Sequence, residues 1–137
     1  MAFEAVLIFE TALPVPFTVA DGTAIPKGTL LKLTDPMTAI IVSGDGDAFA
    51  GVAAEAKIAS DGRTKLPVYR QGIFRMFAGG TITAGNAIQA EGTTANEVVI
   101  AATGKDGAEI IGTALEDITA QQSFLVDLNI GAGSPSS

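Results

Sequence analysis

The chain has 137 residues, 47% of them apolar, with 16 glycines, no cysteine, no histidine and a net charge of −7 from 15 acids and 8 bases. These figures exclude a disulfide framework and thiolate or imidazole chemistry, and they argue against nucleic-acid binding, which needs a cationic surface. They allow one domain with a packed core, built from short strands and many tight turns rather than long helices.

In chain order, Met1-Ala-Phe-Glu4 lacks the basic stretch of a secretory signal, and Val6 to Phe9 is too short for its apolar region. Glu4-Ala-Val-Leu-Ile-Phe-Glu10 has the length and branched composition of a strand. Pro14 and Pro16 lack an N–H and force their predecessors into extended backbone, so Thr11 to Phe17 reads as a connector or edge segment. Residues 1–20 together read as an N-terminal strand or extended arm.

Residues 21–131 read as the β domain, with an approximate internal repeat over 22–72 and 80–131. In the first copy Ile25-Pro-Lys-Gly28 leads to Leu30 to Leu33, then to Ala50-Gly51-Val-Ala, then to Lys65-Leu-Pro-Val-Tyr-Arg-Gln-Gly72. In the second, Ile82-Thr-Ala-Gly85 leads to Ala87 to Ala90, then to Ile111-Gly112-Thr-Ala, then to Phe124-Leu-Val-Asp-Leu-Asn-Ile-Gly131. Such copies suit two similar halves of one barrel or sandwich. Turn signals at Asp21-Gly22, Gly44-Asp-Gly46, Asp61-Gly62, Gly79-Gly80, Glu91-Gly92 and Asp106-Gly107 have the spacing of an all-β chain. Ala48 to Ala59 is alanine-rich, but Gly51 interrupts a helix there, and Phe-Ala-Gly-Val-Ala also suits a buried strand. Residues 132–137 read as a flexible tail. The longest uncharged stretch, Met76 to Ala90, is too polar for a spanning helix, so no membrane crossing is expected.

The bases are banded. Residues 57–75 carry five of them against Asp61, while both flanks are acidic. The band is either a solvated face or a docking surface for an acidic partner.

Chemistry is hard to assemble from what is left. Of the carboxylate pairs, Glu116-Asp117 and Asp45 with Asp47 sit at turns, where acids are usually solvated. Ser43-Gly-Asp-Gly-Asp47 lacks the twelfth-position glutamate of a calcium loop, and Thr103-Gly-Lys105 lacks the upstream glycine of a phosphate loop. Tyr69, Phe74 and Phe77 interleave with Arg70 and Arg75 as on single-strand binders, although core rings give the same pattern. No catalytic residue, cofactor or metal ligand is assigned.

Ile25-Pro-Lys-Gly28, Phe49-Ala-Gly-Val-Ala53, the strand leading to Gly72, Ile82-Thr-Ala-Gly85-Asn and Ile111-Gly-Thr-Ala114 together resemble the small capsid decoration (cement, or head-stabilising) proteins of tailed double-stranded DNA phages. The resemblance covers about residues 20–131. It implies an all-β, non-enzymatic, often trimeric protein that sits on the outer capsid surface and staples neighbouring major capsid subunits. On that reading the candidate capsid or subunit interface has two parts. The arm, with Phe3, Val6 and Ile8, is either the first strand of the protein's own sheet or a strand added to a capsid sheet edge; Arg63, Arg70 and Arg75 represent the basic band. A carbohydrate-binding or host-attachment β module is the alternative, weakened by the absence of Trp and a single Tyr. A β-clip or swivelling domain of a larger enzyme lacks a recognisable carrier lysine.

Overall fold

A computed structural model of the chain describes residues 4–43, 48–91, 96–101 and 109–130. Phe3, Asp45, Asp47, Lys105 and the tail lie outside the described residues. The described residues form strands without any α-helix: β1 (Val6–Phe9), β2 (Val15–Thr18), β3 (Leu30–Asp35), β4 (Thr38–Ile41), β5 (Phe49–Ala53), β6 (Lys65–Tyr69), β7 (Gln71–Ala78), β8 (Ala87–Glu91), β9 (Glu97–Ile100), β10 (Gly112–Ala114) and β11 (Ser123–Asn129).

Two closed barrels result. The first runs β2-β4-β3-β5-β6 and closes by β6 pairing with β2. The second runs β7-β9-β8-β10-β11 and closes by β11 pairing with β7, with β1 laid against β7 as a sixth strand. The order is the same in both, and so is the single parallel pairing, β2 with β4 and β7 with β9. Closure leaves few strand edges open, which a chain so rich in strands needs if it is not to aggregate.

The repeat therefore holds in three dimensions and reaches beyond the sequence matches. Ile25 and Lys57 exchange backbone hydrogen bonds at 3.0 and 2.7 Å, and Ile82 and Ile118 do so at 2.9 and 2.8 Å. The Gly28 N–H donates to the Ala53 carbonyl as the Gly85 N–H donates to that of Ala114. Ser60 and Gln121 share a left-handed backbone, with φ of 61° and 67°. Each unit begins one strand earlier than the recurring glycines indicate, at β2 and at β7. The segment after Gly72 is thus the longest strand of the second barrel rather than a spacer between halves. Ala48 to Ala59 resolves into β5 and a turn.

Burial follows strand period. β7 and β11 bury alternate residues, Phe74, Met76 and Ala78 on one and Phe124, Val126 and Leu128 on the other. β5 is buried along its whole length because it faces two interiors: Ala50 and Ala53 pack with Phe17, Leu31, Leu66 and Val68 inside the first barrel, while Phe49 and Val52 pack outward against Phe74, Met76 and Phe124. The barrels thereby share a core. Gly51 and Gly112 allow the close approach of β5 to β6 and of β10 to β11, since a Cβ there would fall onto the carbonyl oxygens of Tyr69 and Asp127. Asn96, just ahead of β9, is a polar link between barrels. Its Oδ1 accepts the Leu30 N–H at 2.7 Å and its Nδ2 donates to the Gly28 carbonyl at 2.9 Å.

Candidate functional site

β1 pairs antiparallel with β7 in the register Val6 with Arg75, Leu7 with Phe74 and Phe9 with Ile73, so Ile8 is the extra residue of a bulge. Ala5 anchors its start, buried and donating its N–H to the Gly28 carbonyl at 3.0 Å. Leu7 packs against the shared core. The bulge breaks the alternation, and Val6, Ile8 and Phe9 are all exposed, at 44%, 41% and 65%. Along the same edge of β7, β9 takes up the pairing only at Phe77 and Ala78. The other edge of β1 carries no strand among the described residues.

The exit of β1 is tied down. The Tyr69 hydroxyl donates to the Glu10 carboxylate; burial, and then the charge and hydrogen bond of Glu10, push the phenol above its ordinary pKa. The Tyr69 ring stands edge-on to Phe74, with centroids 5.7 Å apart. Beyond it the chain crosses to the first barrel through exposed Leu13 and the two prolines. Pro16 lies directly opposite Pro67, so neither nitrogen serves the β2–β6 ladder. The missing donor of Pro16 faces the other edge of β2, the edge that on β7 receives β1, and it resists an added strand there.

The structure brings Val6 and Arg75 together, with Ile8 on the same strand as Val6, and places Arg63 and Arg70 on other elements. Arg75 stands outward on β7 between Val6 of β1 and Leu125 of β11, 3.9 Å from the Glu116 carboxylate. A groove of about 410 Å³ runs beside them, lined by Glu4, Val6, Arg75, Met76, Phe77 and Ser123. Arg63 lies on the turn ahead of β6, ion-paired with Glu55 at 3.1 Å, and such an exposed pair contributes only ~0–1 kcal/mol. Arg70 sits at the link from β6 to β7, its guanidinium 6.0 Å from the centre of the Phe17 ring. The apolar side chains of Phe9, at the end of β1, and Leu13, in the link to β2, are exposed as well. Phe9 lies within the strand read from the sequence, and for Leu13 the sole sequence signal is an apolar residue beside a proline.

The Lys57 side chain is fully buried, and its ammonium donates to Asp61 Oδ1 at 2.9 Å, Asp21 Oδ1 at 3.1 Å and the carbonyls of Asp21 and Ile58 at 2.8 and 3.0 Å. Burial alone would lower its pKa, but the hydrogen bonds and charges of Asp61 and Asp21 outweigh it and raise the value. Asp61 is held down to about 2, first by the Arg63 backbone N–H and then by Lys57. This knot joins two turns at one end of the first barrel. In the second barrel apolar Ile118 occupies the matching place.

Of the acids considered for chemistry, Glu116 and Asp117 hold backbone. Glu116 Oε1 accepts the Leu125 N–H at 2.9 Å, and Asp117 Oδ1 accepts the Ala84 N–H at 2.8 Å. Of the interleaved rings, Phe74 is core.

A family model described as phage cement protein matches residues 10–129 of the chain. Among solved structures, the chain is similar to the N base of head fiber gp8.5 in bacteriophage phi29, with a TM-score of 0.55, 17% identity, and coverage of 84% of this chain and 93% of that one. At that identity the likeness is one of fold. Comparison with curated protein sequences gives no match.

Proposed function

The chain belongs to the phage cement protein family and is a capsid-associated structural protein of the virion, and on that premise we propose that it staples neighbouring major capsid subunits through the face around β1. The observation that carries the reading is the state of β1: a strand held by one edge, with no strand on its other edge among the described residues and Val6, Ile8 and Phe9 outward. An extended segment of a shell subunit pairing with that edge gains backbone hydrogen bonds, and the exposed side chains select its register. Arg75 and the adjoining groove supply a cationic contact at the rim. Assembly as a homotrimer would let three such contacts act at high effective concentration. Arg63 and Arg70 belong to this reading as a second, weaker contact with an acidic capsid surface.

Point substitution tests it better than truncation, because deleting residues 1–16 would also remove Ala5 from the core and Pro16 from β2. V6E/I8E should keep the native far-ultraviolet spectrum while capsid occupancy falls at least tenfold, and the capsid melting temperature that the wild type raises should return toward that of bare shells. R75E should weaken binding in a salt-dependent way, R63E and R70E less so. Full occupancy by folded V6E/I8E sinks the assignment of the docking face.

A further inference from the structure

Apart from the docking face, the most unusual side chain is Glu97, the first residue of β9. It is 2% exposed, and its Oε2 has no hydrogen-bond partner among the described residues. A carboxylate so placed loses its hydration with incomplete replacement, whereas a carboxylic acid is far less costly to bury. Of the elements packed around it, β8 presents the carboxylate of Glu91 as its cross-strand partner, and β7 presents Phe77. The turn after β7 brings Gly79 so near that a Cβ there would lie 2.8 Å from Oε1, and the turn before β11 brings the neutral amide of Gln121, which hydrogen-bonds to it. Burial first, and then the like charge of Glu91, raise the Glu97 pKa, with Gln121 opposing.

We infer that Glu97 is a proton-operated latch on the junction between the barrels: neutral, it stays seated in the second barrel, and on releasing its proton to solvent it draws the start of β9 toward water. The consequence follows from its chain neighbour. Asn96, buried with φ of 67°, makes both hydrogen bonds that tie β9 to Gly28 and Leu30 of the first barrel. A shift of Glu97 is transmitted to Asn96 through one peptide unit, and Asn96 has little freedom to absorb it. Because the folded pKa lies above the ordinary 4.5, the stabilisation is complete below that value and is lost as pH rises through the raised one. Across that window the unfolding equilibrium constant gains up to about tenfold per pH unit from this group. The latch is independent of the proposed capsid contact and holds or fails whatever β1 binds.

The test uses the full chain and its E97Q and E91Q variants. Carboxyl-carbon NMR should show Glu97 titrating above 4.5, and the hydrogen-exchange protection factor of the Leu30 amide should fall as pH rises through the same midpoint, by up to about tenfold per pH unit. In E97Q that protection should stay level. E91Q, which removes the neighbouring charge, should move both midpoints to lower pH, and it serves alone if E97Q does not fold. Titration of Glu97 at or below 4.5, equal pH dependence of Leu30 protection in wild type and E97Q, or unmoved midpoints in E91Q would each overturn the latch.

Discussion

Replacing Asn96 by alanine separates the junction into its physical parts. The substitution leaves the Leu30 N–H buried without an acceptor, since Leu30 is 1% exposed and Asn96 Oδ1 is its partner at 2.7 Å. A bare buried donor costs ~1–3 kcal/mol. The Gly28 carbonyl loses less, because it keeps the Ala5 N–H at 3.0 Å. Alanine at φ of 67° adds ~1–2 kcal/mol of backbone strain that asparagine largely escapes. N96A should therefore cost ~2–5 kcal/mol, a large share of the ~5–15 kcal/mol that holds a typical domain. With ~3–5 °C of melting temperature per kcal/mol at this size, the fall is on the order of 6–25 °C. N96G tolerates the backbone angle but loses the same hydrogen bonds, so it should recover ~1 kcal/mol relative to N96A. Thermal melts and urea titrations with unchanged slope measure both. A cost for N96A below ~0.5 kcal/mol would refute the clamp, and N96G as damaging as N96A would refute the backbone argument.

Three further outcomes are expected. G112A should cost ~2 kcal/mol or more in urea unfolding, because its Cβ meets the Asp127 carbonyl and backbone cannot step aside, whereas G22A, with open space around it, should stay within ~0.5 kcal/mol. Asp61 has a folded pKa of about 2 against an ordinary 3.8, so its contribution is complete above the ordinary value and lost as pH falls toward 2; the melting-temperature gap between wild type and D61N should close over that interval, and a constant gap would contradict the hydrogen bonds assigned to Asp61. P14V/P16V restores two backbone donors beside β2 and should produce concentration-dependent association in sedimentation velocity, while an unchanged monomer–oligomer balance would show that the prolines do not guard that edge.

How far each feature could be read depended on how local its cause is. The all-β class was legible because Asp-Gly and Gly-Gly turns act within four residues and recur at strand-length intervals. The repeat was legible through Ile25 to Gly28 and Ile82 to Gly85, where one backbone geometry demands one short residue pattern twice. The missing imidazole and thiol were plain from composition alone. The first strand of each unit was not legible. β2 contains Pro16 and follows Pro14, which locally reads as a connector or edge segment, and only Arg70 separates β6 from β7, with no glycine turn to mark a boundary. Their partners, β6 and β11, lie far along the chain and are chosen by barrel closure, not by neighbours. The site divides in the same way. Val6 and Ile8 announced themselves as apolar residues of a short N-terminal strand, but the register that sets Val6 beside Arg75, the bulge that turns Ile8 and Phe9 outward, and the dispersal of Arg63 and Arg70 onto other elements come from pairing. Lys57 and Glu97 are the sharpest cases. Composition reads both as surface charges, yet one is buried where the distant Asp21 turn meets the turn that follows Lys57 itself and the other where β7, β8 and β9 meet, because burial is a property of the neighbours that folding collects and not of the residue itself.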